Sequence, residues 1–265
     1  MLVPRALFPE SSLHDAPAMP PALVNARQWL DAAKTWLMQK PRYGYDATQY
    51  MYAVENNTMN PSWYDRHILP KALDFACGLP MVSRQRQLIV PLARGRVLEV
   101  GIGTGLNMPW YDKTRVIRIT GLDPALQMHP RARERIAAAG LDVELVGLSA
   151  EQIPRPDSSF DTVLITYTLC TIPDPLAALR EMRRVLAPGG QLLFCEHGRA
   201  PDEAVRRWQD RLQPLWGKVA GGCHLGRDIP ALLQEAGFSV AQLHTRYLPG
   251  PRPFTFHYWG ETLPA

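Results

Sequence analysis

VLEVGIGTGLN, residues 97–107, opens as a buried strand and then breaks into glycines at 101, 103 and 105. Glycine admits positive φ and lets a ligand approach the backbone closely, so three at alternate positions make a binding turn. The apolar residues that follow predict a helix. A dinucleotide site asks for G-x-G-x-x-G with a pyrophosphate resting on the helix N-terminus. The sixth position here is Leu106, so that fingerprint fails. Two residues before Gly101 stands Glu99, a carboxylate at the end of the strand. It repels a pyrophosphate but suits a ligand that carries an ammonium group and a sulfonium. Asp123, in ITGLDP, follows Gly101 by 22 residues, where a carboxylate can hold both ribose hydroxyls.

Downstream of this turn strands and helices alternate, which predicts an α/β fold: a Rossmann-like, seven-stranded, mostly parallel sheet with helices on both faces. Strands are expected at 96–101, 116–122, 142–147, 159–169 and over QLLFCEH (191–197), with helices at 130–139, 175–186, 201–219 and 228–236. The centre of 159–169 is nearly all apolar, as in a strand buried on both faces. Two last strands, 238–246 and 254–259, flank Pro249-Gly250-Pro251 and predict a hairpin with an antiparallel strand at the sheet's edge.

Upstream, prolines at 4, 9, 17, 20 and 21 mark residues 1–21 as a flexible leader. Residues 22–39 carry apolar side chains at 23, 26, 30, 33 and 37, a helical period. Such a helix could lie on a membrane surface, although packing against its own domain is the ordinary case. From Tyr43 the chain is rich in Tyr, Asn and Met, and a second amphipathic segment covers 65–79. Residues 22–90 therefore read as a helical cap or lid, packed as core or over an acceptor pocket, and 91–265 as the catalytic domain.

The bulk properties exclude several classes. With 46% hydrophobic and 20% charged residues the chain is ordinary for a globular protein, and its net charge of +4 is spread out. That charge fits a solvated face better than a nucleic-acid surface. Cys77, Cys170, Cys195 and Cys223 form no C-x-x-C pair, so a reduced, cytoplasmic protein without a metal is expected. No apolar run reaches the roughly 20 residues of a membrane span, and no signal peptide is evident.

S-adenosylmethionine (SAM) carries both the ammonium and the sulfonium that Glu99 would favour. A strand, E-x-G-x-G-x-G and an acid ending the next strand resemble the class I methyltransferase signature. From Trp63 onward the chain is similar to the ubiquinone/menaquinone-methyltransferase-like group. WYDRHILP, VLEVGIGTGLN, LDP, FDTVLITYTLC, LREMRRVLAPGG, FCEHG and GGCHLGRDIP resemble most the branch with the microsomal alkyl-thiol methyltransferases. The resemblance implies SAM binding by Glu99, Gly101, Gly103, Gly105 and Asp123, and a thiol or similarly small apolar acceptor. Ser149 stands where the family often carries an acid.

Ligands of an open parallel sheet bind beyond the carboxyl ends of its strands. Met128, about one helical turn after Asp123, is expected to cover the adenine, and Ser149 with the Ala150 backbone to read its edge. Thr166 and Tyr167 would line the methionine end near Asn107. His197 and Tyr64 are the candidate catalytic residues, with His224 and His67 as further candidate bases. A thiol that is already partly ionised needs little beyond positioning. The leading reading is therefore methyl transfer to a small, mostly apolar molecule, a thiol first, leaving S-adenosylhomocysteine. The alternatives are C- or O-methylation of a quinone or lipid-like ring, and a SAM-binding protein that transfers nothing. A nucleic-acid methyltransferase is disfavoured, because TYTLCTIPDP occupies the place of an Asn/Asp-Pro-Pro-aromatic box.

Overall fold

The computed structural model describes residues 63–125 and 128–264. The expected leader over 1–21, the helix over 22–39 and the segment from 43 to 62 lie outside the described residues. Three helices come first: α1 (Trp63–His67), α2 (Leu69–Cys77) and α3 (Pro80–Ile89). Prolines begin α2 and α3 in their first turns, where the missing N–H would have had no helical partner.

The sheet and its helices follow as β1 (Gly95–Val100), β2 (Val116–Leu122), α4 (His129–Ala139), β3 (Val143–Val146) and β4 (Phe160–Thr166). After them come α5 (Pro175–Val185), β5 (Leu186–His197), α6 (Glu203–Val219), α7 (Ile229–Glu235), β6 (Phe238–Tyr247) and β7 (Phe256–Pro264). Sequence periodicity explains the elements. In α5, Ala178, Leu179, Met182 and Val185 recur at helical spacing and are all buried, and Asp174 caps the first turn by accepting from the Ala177 N–H at 2.9 Å. Each of the three larger side chains stabilises the fold by about 1.5–3 kcal/mol through burial. Strand β4 runs between β1 and β5 with both faces covered.

The seven strands lie in the order β3-β2-β1-β4-β5-β7-β6. The neighbours from β3 to β5 are parallel, and β7 is antiparallel to both β5 and β6. The expected hairpin is present at the edge, but its antiparallel strand is one place in from it. The α7 segment carries the chain past a vacant position beside β5, and β7 folds back into it, so both of its backbone edges are paired. This strand is also longer than expected and begins later, at Phe256.

A second correction concerns the segment after Gly105. The expected helix is a single 3₁₀ turn, Met108–Trp110. Pro109 has no N–H to donate and would crowd the carbonyl four residues back, so an α-helix cannot run through it. The chain instead turns back and buries Tyr111. From β1 the chain goes outward to β2 and β3, then returns to β4 on the other side of β1. The direction switches between β1 and β4, the place where open α/β sheets take their ligands.

Candidate active site

Three left-handed glycines shape the turn after β1, with φ of 73°, 53° and 79° at Gly101, Gly103 and Gly105. At Gly101 a Cβ would lie 2.1–2.6 Å from side-chain atoms of Thr168, so the turn touches the segment leaving β4. The Gly103 N–H donates to Asp123 Oδ2 at 2.8 Å and the Ala125 N–H to Oδ1 at 2.7 Å. Each oxygen of Asp123 is thereby fixed with a lone pair to spare. Burial raises the Asp123 pKa, outweighing the two amide hydrogen bonds and the nearby His129. Met128 belongs to the same corner: its sulfur is 3.7 Å from where a Gly103 Cβ would be.

Deeper in, two opposite charges are buried side by side. Glu99, 1% exposed, accepts from Asn107 Nδ2 at 2.9 Å and from the Tyr111 hydroxyl at 2.6 Å. Arg86, which α3 brings in, donates to Asn107 Oδ1 at 3.1 Å and Thr166 Oγ1 at 2.7 Å, and lies over the Tyr167 ring. Asn107 completes the set by donating to Thr166 Oγ1 at 3.0 Å. Both N–H bonds of the Asn107 amide are thus in use, and the residue separates the two charges. Burial pushes the Glu99 pKa up to about 7, against the hydrogen bonds from Tyr111 and Asn107 and the charge of Arg86. The Arg86 Nε is buried without a partner among the described residues.

The helices before β1 are fastened onto this turn. Asp74 of α2 accepts from Thr104 Oγ1 at 2.5 Å, Arg131 at 2.7 Å and Arg135 at 2.6 Å, and Arg135 also donates to the Thr104 carbonyl. Burial opposes the charge of Asp74, but the hydrogen bonds from Arg135 and Thr104 win and its pKa is lowered. Tyr64 donates its hydroxyl to the Val219 carbonyl at 2.7 Å, which ties α1 to the end of α6.

The remaining expected residues are spread along the carboxyl edge of the sheet. The Ser149 hydroxyl donates to Glu151, and Ala150 is buried beside it. His197, at the tip of β5, has its Nε2 3.2 Å from Cys223 Sγ. Burial works against a charged His197, yet the Cys223 contact raises its pKa; hydrogen bonds from Cys170 and His197 lower that of Cys223 against burial. His67 lies against the Trp63 ring and His224 is exposed. The structure brings Glu99, Gly101, Gly103, Asn107, Asp123, Met128 and Thr166 around one turn. It gives Ser149 a partner two residues on and Tyr64 one at the end of α6, and places His197 in a separate cluster of cysteines.

Comparison with known proteins decides what this edge belongs to. A methyltransferase-domain family model matches residues 98–194. A phosphatidylethanolamine N-methyltransferase of Cereibacter sphaeroides is 37% identical over 54% of this chain and 73% of that protein. A human thiol S-methyltransferase is 33% identical over 62% and 70%, and a demethylmenaquinone methyltransferase of Thermus thermophilus 31% identical over 65% and 87%. The chain belongs to the SAM-dependent methyltransferase family.

Its fold agrees. A SAM-dependent methyltransferase of Leishmania major superposes with a TM-score of 0.57 at 16% identity, over 76% of this chain and 80% of that one. The cyclase SpnF matches with a TM-score of 0.53 at 21% identity, over 69% and 81%, so this architecture alone does not specify methyl transfer. The cofactor of this methyltransferase is SAM, and the residues present fit it. An α-amino acid tail carries one carboxylate and one ammonium, and the groups beneath the turn include the unspent Nε of Arg86 and the carboxylate of Glu99. No helix among the described residues is long and apolar enough to cross a membrane.

Sequence reasoning missed Arg86, Tyr111, Asp74 and the meeting of Cys170 with Cys223. Arg86 left a faint signal: it is three residues before Ile89, on the face that α3 buries with Gln85. Tyr111 left none, because the helix expected after Gly105 points elsewhere than the observed turn.

Proposed function

We propose that this methyltransferase moves the methyl group of SAM to the sulfur of a small, mostly apolar thiol. The observation that carries this reading is the engagement of His197. Its Nε2 lies on Cys223, so this strand-tip histidine is not poised as a general base. Phenols and ring carbons need a proton removed in the transition state, whereas a thiol with a pKa of about 8.5 is already partly ionised at neutral pH and then needs alignment and exclusion of water. The similarity to a thiol S-methyltransferase supports the same acceptor. The similarity to a demethylmenaquinone methyltransferase favours the second reading, C-methylation of a quinone-like ring.

Bound SAM supplies an electrophilic methyl group. The chain supports it as follows on this reading. Asp123 accepts from the ribose hydroxyls, and Met128 covers the adenine beside Ser149 and Ala150. Arg86 and Glu99 take the carboxylate and ammonium of the tail, held apart by Asn107 and Thr166. Within the described residues, 63–90 serve as the part of the cap that Tyr64 and the Asp74 clamp secure, and 91–264 as the transferase domain. Four free thiols among the described residues support a reducing compartment such as the cytoplasm, and contact with a membrane surface is compatible with the lipid-modifying relative.

The test is transfer of labelled methyl from SAM to panels of small thiols and of phenols and quinols, with products identified by mass. Label in thiols is expected; label confined to phenols or quinols removes the thiol reading.

A pH dependence follows from Glu99. Its folded pKa is raised from 4.5 to about 7. The contribution of this group to the stability of the free protein is therefore fully present below pH 4.5 and is lost as pH rises through 7. SAM binding has the opposite sign, because the ammonium selects the carboxylate. Affinity is expected to fall below pH 7, at most about tenfold per pH unit, and to do so less steeply in Glu99→Gln. Isothermal titration calorimetry between pH 8 and 5.5 checks this; an identical slope in the variant would remove Glu99 from the ammonium site.

A further inference from the structure

Beyond the turn, the carboxyl edge holds a second concentration of chemistry that the cofactor does not use. Cys170 follows β4, His197 ends β5 and Cys223 follows α6, three segments far apart in sequence. One donor atom of each lies within 4.8 Å of the other two, and Cys223 Sγ is 3.2 Å from His197 Nε2. A tetrahedral zinc ion with Zn–S near 2.3 Å and Zn–N near 2.0 Å holds its ligand atoms about 3.3–3.8 Å apart. The cluster therefore needs only small side-chain shifts to close on such an ion.

Its surroundings point the same way. Cys170 and Cys223 are buried, and Trp216 packs against them. Glu196, next to His197, is completely buried; its Oε1 accepts from the Thr168 and Leu169 N–H groups, and its Oε2 has no partner among the described residues. A buried carboxylate with an orphan oxygen is costly unless positive charge lies close by. Arg227 lies close enough to interact with its charge but makes no hydrogen bond to it: its guanidinium donates to the Leu169 and Ile172 carbonyls. Both contacts pin the segment that presents Cys170.

We infer that Cys170, His197 and Cys223 bind one thiophilic divalent cation of the zinc type, with a fourth coordination position left for a ligand. Two sulfurs and an imidazole suit zinc, and three protein ligands with an open position mark reactive zinc sites rather than closed structural ones. On the thiol reading above, that position takes the sulfur of the acceptor. The acceptor releases its proton to solvent on coordination. Its sulfur then forms the new S–CH3 bond while the donor S–CH3 bond breaks, its electron pair staying on the donor sulfur. The neutral thioether product is a weaker ligand and leaves.

The experiment uses the full chain, reduced, stripped with a chelator and titrated with Co(II) in the absence of SAM. About one equivalent should bind, with an intense near-ultraviolet thiolate-to-cobalt band and tetrahedral visible absorption. His197→Ala and Cys223→Ser should weaken binding by more than the roughly 10- to 100-fold typical of a merely supporting residue, and thiophenol should shift the band saturably. Absence of the thiolate band in the unaltered protein would overturn the site, whatever the variants do. So would unchanged cobalt binding in the Cys170→Ser/Cys223→Ser double variant. Thiophenol leaving the spectrum unchanged would overturn the acceptor position. Because metal binding is read without methyl transfer, its failure and that of the thiol panel are separate results.

Discussion

Asp123→Ala is expected to weaken SAM binding by roughly 30- to 900-fold while leaving the fold intact. The figure corresponds to about 2–4 kcal/mol, the loss of two charge-assisted hydrogen bonds to a buried carboxylate. Part of the effect is indirect. Asp123 also anchors the Gly103 and Ala125 N–H groups, so without it the turn loses the contact that sets its distance from β2. The fold survives because the sheet does not use this side chain; its own N–H still donates to the Val146 carbonyl. Calorimetry with SAM, beside circular dichroism of the free protein, checks both halves. An unchanged affinity would remove Asp123 from the ribose site.

Gly101→Ala is expected to be the most damaging single methyl group among the three glycines of the turn after β1. Two costs add at this position. A φ of 73° places an L-residue in the left-handed region, at about 1–2 kcal/mol. The new Cβ would also fall 2.6 Å from Thr168 Cβ and closer still to its two branches. No rotation of Thr168 relieves a clash with its own Cβ, so β4's exit must move, at about 1–3 kcal/mol. The melting temperature should drop by roughly 5–15 °C, and SAM affinity should fall with it as the turn shifts. Gly189→Ala is the matched control: its φ is 75° but no atom lies within 4 Å of the added Cβ, so only the conformational cost applies. Equal melting temperatures for the two variants would show that contact with Thr168 is not what requires glycine at 101.

The comparison between chain and fold turns on the range of each interaction. Val97–Val100 and Phe160–Thr166 announce themselves as strands because burial on both faces demands an unbroken apolar run, and their neighbours need not be known. The glycines at 101, 103 and 105 and the acids at 99 and 123 are legible for a similar reason. A left-handed turn and a strand-tip carboxylate are requirements of local backbone and spacing, and they identified the cofactor. Pro109 was equally local, and its veto on the helix after Gly105 was open to view.

Other features depend on which strands become neighbours. Arg86 lies upstream of β1, and only the docking of α3 over the end of β4 sets its guanidinium on Thr166 and above Tyr167. The position of β7 inside the edge depends on a slot that exists once β5 and β6 are in place. Cys170, His197 and Cys223 show no spacing motif, because three separate crossovers deliver them to one point. Residue pattern alone therefore determined the α/β sheet, the glycine turn and the class of cofactor, since each is written in short-range sterics and periodic burial. Tertiary structure alone decided the buried charge pair and the thiol–imidazole cluster, since electrostatic and ligand contacts reach across space and leave no period in the chain.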